Sequence, residues 1–197
     1  MNTALILASK SSSRRAMLDA AGIAYTALPA DIDERAIETG MAGASPGEIA
    51  EALAVAKAAA ISSQHPDAFV LGSDSLVVVD GRRFDKPASR SEAADHLRFF
   101  SGRVMELHSG AALVRGAGCE WSGTSLARLK VRDLSDGFIE EYLGAEWPEV
   151  GHTVGVFRIE AWGVHLFEEI TGDYFTIVGM PLLAVLGALR EAGVVRA

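Results

Sequence analysis

The chain has 197 residues, 49% of them hydrophobic and 22% charged, enough for one substantial core, with room for two lobes around a cleft. A formal net charge of −8 and a pI near 5.1 exclude a broad basic surface, so nucleic acid is not an expected partner. The lone Cys119 excludes an internal disulfide and any multi-cysteine metal site, which fits a reducing compartment.

The opening MNTALILASK shows no basic leader before a long apolar core, and no uncharged apolar run approaches the length of a membrane span. A cytoplasmic protein outside the membrane is expected. Residues 4–8 read as a buried strand and 14–21 as a helix stopped by Gly22. Residues 25–28 form a weak second strand that runs into an acidic loop holding Asp31, Asp33 and Glu34. Ser45-Pro46-Gly47-Glu48 combines an N-cap, a proline suited to the first helical position and a capping-box glutamate, predicting a helix to about Ile61. Ile49, Leu53, Ala56 and Ala60 give that helix an apolar face, with Lys57 close to it.

Residues 68–71 and 76–79 read as two strands, the second running to an Asp80-Gly81 turn, and 91–100 as a helix. Alternation over 104–114, a Gly116-Ala117-Gly118 turn and an extended stretch to Val131 predict a hairpin. Ser135 caps a helix through Tyr142, and Pro181 opens the last, through Leu189. Between them, 154–157 and 164–167 read as strands joined across Glu160 and Gly163. Helices and strands alternate without a fixed repeat, and no low-complexity linker divides the chain. One α/β domain over residues 1–197 is expected, with a mixed twisted sheet flanked by helices.

Two stretches carry chemistry. In LILASKSSSRRAML an apolar strand stops at Ser9 and a helix opens at Arg14 and Arg15; unpaired N–H groups at such a junction bind anions, and arginine adds bidentate contacts to phosphate. Cations at a helix start oppose its dipole and call for a compensating anion. In GSDSLVVVDGRRFDKP, Asp74 near a strand end is suited to hold a metal ion or take a proton from water. Read alone, Asp74 also suits a capping role, Lys57 a side chain snorkelling off its helix, and Lys86 ordinary turn chemistry before a proline. The five histidines show no HxH or HExxH spacing, and core packing is the default for Trp121, Trp147 and Trp162.

These segments together resemble the Maf family of nucleoside triphosphate pyrophosphatases. LASKSSSRR is similar to the family's Ala-Ser-x-Ser-Pro-x-Arg-Arg opening, AVAKAAA to its helical lysine element, and GSDSLVVVDGRRFDKP to its Gly-(Ala/Ser)-Asp strand and Lys-Pro turn. SGRVMELHSGAAL and TGDYFTIVGMPL match its Ser-Gly-Arg strand and closing segments, in the same order. Ser12 stands where the family has proline, Asp85 where it has glycine, and Met105 where histidine is common.

The resemblance implies a Maf and inosine-triphosphatase-like fold and hydrolysis of a nucleoside triphosphate between the α and β phosphates, with Mg2+ or Mn2+. By position it implies Asp74 as proton acceptor and second as metal contact, Glu34 beside the metal, and Ser9, Arg14, Arg15, Lys57 and Lys86 on the phosphates. The positions that tune base choice fall on Ser13, Ser75 and Glu160. Glutamate at the third is similar to the subfamily acting on 7-methyl-GTP, while the two serines match neither that group nor the pyrimidine-directed one. A homodimer is expected from the resemblance. An alternative of another class is a nucleotide-binding regulator of cell division without significant turnover. A third, an inosine-triphosphatase-type enzyme, shares the architecture but lacks the Ser-x-Ser…Arg-Arg opening.

Overall fold

Hydroxyl and carboxylate caps set the helix starts. In the computed structural model, which describes residues 4–196, the Ser11 hydroxyl accepts from the Arg14 N–H and opens α1 (Ser12–Ala20), and Gly22 at φ 69° turns the chain away. Asp33 caps α2 (Glu34–Gly40) by accepting from the Ala36 N–H at 2.9 Å. That helix stands where the sequence predicted a loop; it buries no residue, so no apolar periodicity announces it. The reciprocal capping box of Ser45 and Glu48 opens α3 (Pro46–Ser62) as expected. The Ser89 and Ser135 hydroxyls cap α4 (Arg90–Phe100) and α5 (Asp136–Glu146) by accepting from the Glu92 and Phe138 N–H groups, without a reciprocal carboxylate. Asp173 accepts from the Thr176 N–H at the start of the short α6 (Tyr174–Val178), and α7 (Leu182–Glu191) follows Pro181.

The described strands are β1 (Leu5–Leu7), β2 (Thr26–Ala27), β3 (Phe69–Val79), β4 (Arg82–Phe84), β5 (Val104–Arg115), β6 (Gly118–Val131) and β7 (Phe167–Thr171). Their order is β2-β1-β3-β5-β6-β7, with β4 on β3. β1 runs parallel to β2 and β3, whereas β4 and β7 are antiparallel to β3 and β6, so the sheet is mixed, as predicted. The two strands expected over 68–79 are one strand of eleven residues. Gly72-Ser73-Asp74-Ser75 lacks apolar side chains and interrupts the hydrophobic pattern, yet the backbone passes through it extended. Asp74 therefore sits inside a strand rather than near its end.

The chain divides into two compact units, and β3, β5 and β6 contribute to both. The first comprises the described chain up to Ser75, Ser109–Ser125, and the chain from Val178 onward. Ile6, Ala8, Ala58, Ile61, Ala68, Val70 and Val114 form a core there. The buried face of α3 is Ala50, Leu53, Ala54, Ala58 and Ile61, rotated from the face the sequence suggested. The cause lies in the sheet: a Cβ on Gly72 would lie 2.0 Å from the Ala54 carbonyl oxygen, and one on Gly110 2.6 Å from that of Ala50. Alanines facing glycines bring helix and sheet backbones into contact. No helix among the described residues is long and apolar enough to cross a membrane.

The second unit, Leu76–His108 and Leu126–Ile177, holds a larger core in which Phe100, Tyr142, Leu97, Leu129 and Leu143 are fully buried. Trp147 packs against that core, but Trp162 is exposed. The strands expected over 154–157 and 164–167 do not form. Val156 adopts φ 56°, which no strand permits, and its carbonyl accepts from the buried Tyr142 hydroxyl. The Phe157 N–H turns back to the Thr153 hydroxyl, and Trp162–Leu166 forms a 3-10 helix. Val156 is fully buried while Val164 is 50% exposed, so valine content there marks neither an extended strand nor uniform burial.

Candidate functional site

Strand alternation sorts the four residues at the middle of β3. Gly72 and Asp74 face α3, while Ser73 and Ser75 face the opposite side. Lys57 lies three residues after Ala54 and directly before Ala58 on α3, the helix that abuts Gly72. Its ammonium donates to Asp74 Oδ1 and lies 2.8 Å from Glu34 Oε1. Asp74 is buried, 8% exposed, whereas the Glu34 side chain is 44% exposed. One cation thus joins a carboxylate from the strand to a carboxylate at the start of α2. Asp33, next to Glu34, is committed to capping that helix.

Arg14 forms the second half of the cluster. Its Nε donates to the Gly179 carbonyl at 2.9 Å, Nη1 to the Ser9 hydroxyl at 3.3 Å, and Nη2 to the Ser75 hydroxyl at 3.0 Å. Burial lowers the guanidinium's pKa, and the charges of Asp74 and Glu34 oppose that shift. The group stays cationic, since arginine cannot lose its proton in this range. Ser9 is itself buried and also accepts from the Ser11 N–H.

Ser75 links Arg14 to the Gly179 carbonyl at 2.9 Å and to the Ser109 hydroxyl at 3.0 Å. Ser73 donates to the carbonyls of Gly110 and Gly179. Sequence reasoning did not single out Gly179, Ser73 or Ser109. The signal was the Gly-Met-Pro stretch: Gly179 takes φ 119°, which turns its carbonyl toward three donors, and a Cβ there would lie 3.3 Å from the Ser75 hydroxyl.

The structure therefore brings Ser9, Arg14, Glu34, Lys57, Asp74 and Ser75 together in the first unit. Arg15, one position along α1, is exposed, and its charge acts on Tyr25. Ser13 lies partly buried in the first turn of α1. Lys86 and Glu160 belong to the second unit, and both are exposed. Lys86 follows β4 directly before Pro87; Glu160 sits in a turn closed by the Ala161 N–H on the Arg158 carbonyl at 3.1 Å.

The donor chemistry suits a hard divalent cation. Glu34 and Asp74 already share one cation, and Mg2+ typically takes one or two carboxylates and fills its remaining positions with phosphate oxygens and water. Among the described residues no group of three or more His, Cys, Asp or Glu side chains is arranged to hold a metal on its own. Two acids, an ammonium and a guanidinium at one strand define an α/β protein suited to a polyanion accompanied by a metal ion.

The chain belongs to the Maf family: the model of the Maf-like protein matches residues 4–192. The nucleoside triphosphate pyrophosphatase of Rhodopseudomonas palustris (strain HaA2) is 47% identical over 187 residues, covering 95% of this chain and 93% of that protein. The 7-methyl-GTP pyrophosphatase of Rhizobium meliloti (strain 1021) is 46% identical over 199 residues, covering 100% of both. Among solved structures, a HAM1 protein from Coxiella burnetii is similar at a TM-score of 0.45 and 18% identity, covering 66% of this chain and 73% of that one.

Proposed function

We propose that the protein hydrolyses nucleoside triphosphates to the nucleoside monophosphate and pyrophosphate, with a divalent metal ion and with Asp74 as general base. The observation that carries this reading is the joining of Asp74 and Glu34 through Lys57, beside Arg14, in a chain whose family relatives are named as nucleoside triphosphate pyrophosphatases. In the reaction, water oxygen bonds to the α phosphorus, and the bond from that phosphorus to the αβ-bridging oxygen breaks. Pyrophosphate leaves with the electron pair, and the water proton passes to the Asp74 carboxylate and on to solvent.

A triphosphate repels an incoming hydroxide until its charge is offset. Arg14 and Lys57 supply fixed positive charge for this, Arg14 being held by Ser9, Ser75 and Gly179 before any ligand arrives. Among the described residues three of the five Arg14 N–H donors are committed, and the other two are left for phosphate oxygens. Arg15 and Lys86 are assigned to the phosphates by the family resemblance. Glu34 and Asp74 would hold Mg2+ or Mn2+, which polarises the phosphoryl group and lowers the pKa of bound water. A carboxylate cannot serve as base and metal ligand through one oxygen, so Asp74 would use a different oxygen for each task.

The substrate base is read by Glu160, with Ser13 and Ser75 as the other tuning positions. A guanine edge presents N1–H and N2–H donors that one carboxylate accepts together, which favours a guanine nucleotide such as 7-methyl-GTP over a pyrimidine one. The relative from Rhizobium meliloti bears that substrate in its name.

The test is a panel of 7-methyl-GTP, GTP, dTTP, UTP and CTP with Mg2+ or Mn2+, with products resolved by chromatography. Monophosphate and pyrophosphate are expected in equal amounts; a nucleoside diphosphate with orthophosphate would refute the cleavage site. Asp74→Asn should lower kcat by about a thousandfold or more while nucleotide still binds, in line with loss of a general base plus a metal contact. A variant within about tenfold of wild type would remove Asp74 from the role of base.

A further inference from the structure

Three serine hydroxyls meet behind Arg14, of which the phosphate cluster uses only Ser75. On β3 the side chains of Ser73 and Ser75 leave the sheet on the face opposite α3. Gly110 on β5 packs against α3, where a Cβ would lie 2.6 Å from the Ala50 carbonyl oxygen, so its neighbour Ser109 shares the face of the two serines. Ser73 and Ser109 are completely buried, and every residue of this group belongs to the first unit. A buried hydroxyl is costly unless it is hydrogen-bonded, and alanine, which follows at 111 and 112, carries no such cost.

Counting protons shows what Ser109 supplies. The Gly179 carbonyl oxygen has two lone pairs and, among the described residues, three donors within reach: Arg14 Nε at 2.9 Å, the Ser75 hydroxyl at 2.9 Å and the Ser73 hydroxyl at 3.3 Å. Ser73 has a single proton, and the Gly110 carbonyl lies nearer to it at 2.8 Å, so Arg14 and Ser75 fill Gly179. Ser75 in turn accepts from Arg14 Nη2 at 3.0 Å and stands 3.0 Å from the Ser109 hydroxyl. Its own single proton goes to Gly179, so the bond between the two serines runs from Ser109 to Ser75. Two corners of the guanidinium are thus held by acceptors that are bonded to each other, and Ser109 ties that ring to β5.

We propose that Ser109 is a positioning residue for the phosphate-binding arginine: by donating to Ser75 it fixes the plane of the Arg14 guanidinium, so that its two remaining N–H groups are aimed before a ligand arrives. This rests on the reading of Arg14 as a phosphate ligand given above. Ser109 touches neither substrate nor metal in this scheme. The guanidinium is a planar fork, and paired contacts to phosphate oxygens tolerate little rotation out of that plane. A long side chain oriented beforehand loses less freedom on binding, and the gain appears as affinity for the phosphates.

The experiment measures binding of inorganic pyrophosphate, the leaving group and a ligand without a base, by calorimetry in Mg2+. The proteins are wild type, Ser109→Ala, Ser109→Thr, Arg14→Met and Arg14→Met/Ser109→Ala, each checked for folding by its melting temperature. Ser109→Ala removes one oxygen atom and is expected to weaken pyrophosphate binding by about fivefold, the worth of one neutral hydrogen bond. Ser109→Thr keeps the hydroxyl and should stay within about twofold of wild type. Arg14→Met should weaken binding by about thirtyfold, as loss of charge-assisted bonds does, and adding Ser109→Ala to it should cost nothing more, because the hydroxyl acts through the arginine. In ligand-free protein, the guanidinium Nε–H resonance that disappears in Arg14→Met should exchange with solvent about tenfold faster in Ser109→Ala, whereas general loosening of the core would speed many backbone amides.

A folded Ser109→Ala protein that binds pyrophosphate as wild type does overturns the positioning role while Arg14 keeps its own. An equal loss from Ser109→Ala with and without Arg14 overturns it too, since the effect is then one of packing, and so does a Ser109→Thr protein as weak as Ser109→Ala. If Arg14→Met binds pyrophosphate unchanged, or wild type binds none, the phosphate reading of Arg14 fails, and the role of Ser109 falls with it.

Discussion

Replacing Lys57 with methionine keeps the length and apolar stem of the side chain and removes only the ammonium that Asp74 and Glu34 share. Asp74 is buried, and truncating one partner of a buried pair costs about 3–5 kcal/mol because the remaining charge is left without compensation. The Glu34 arm adds little, since that side chain is 44% exposed and water screens it. Arg14 acts on Asp74 from the same cluster and offsets part of the loss, so the lower end of the range, about 3 kcal/mol, is expected. For a chain of this size each kcal/mol moves Tm by about 2–4 °C, which places the Lys57→Met variant about 6–12 °C below wild type.

The assay is thermal unfolding at neutral pH in EDTA, repeated with increasing Mn2+. In wild type a divalent ion has to displace the ammonium from both carboxylates; in Lys57→Met it does not. Mn2+ at a hundred times its dissociation constant would return about 2.7 kcal/mol to the variant, and at the same concentration it should stabilise wild type less. Paramagnetic resonance of free Mn2+ reads the affinity directly, without nucleotide or turnover. A variant melting within about 2 °C of wild type would show that Lys57 does not hold Asp74 in solution. Equal Mn2+ binding to both proteins would show that the ion and the ammonium do not share these carboxylates.

Gly72→Ala tests how the helix reaches the strand. The new Cβ meets the Ala54 carbonyl at 2.0 Å and the Ala58 N at 2.9 Å, so α3 has to move outward and take Lys57 with it. A loss of about 3 kcal/mol or more in urea unfolding is expected, together with reduced turnover; an unshifted midpoint would refute the packing. His96 tests the second core through pH. Burial lowers the pKa of this side chain below 6.5, its ring packs edge-on against Phe84 at 5.0 Å, and Nδ1 has no hydrogen-bond partner among the described residues. The unfolded chain therefore takes up the proton first. Stability is unaffected above pH 6.5 and falls as pH drops from there toward the folded-state pKa. His96→Phe should lose that slope, so its stability relative to wild type should rise between pH 7 and 5; parallel profiles would refute the assignment.

Local grammar made several elements legible from the sequence alone. The capping box at Ser45 and Glu48, the caps at Ser135 and the stop at Gly22 join atoms within three or four residues, so no knowledge of the chain's path is needed to read them. The hairpin of β5 and β6 was readable for the same reason, its turn being written in consecutive residues. The family elements placed Ser9, Arg14, Glu34, Lys57, Asp74 and Ser75 on the list of candidates by order and type.

Their meeting was a matter of tertiary structure. Lys57 by itself reads as a side chain snorkelling off an apolar face; it becomes a partner of Asp74 because glycine at 72 and 110 lets an alanine face of α3 touch the sheet. Arg14 acquires its orientation from a carbonyl 165 residues away at Gly179. The segment from Thr153 to Leu166 misled the sequence reading because apolar content does not fix extension: its backbone is set by Tyr142, Thr153 and the Glu146–Arg158 pair. Periodicity and caps are properties of neighbours along the chain, so sequence determines them; which buried charge finds which partner depends on how closely distant backbones approach, and only the folded chain decides that.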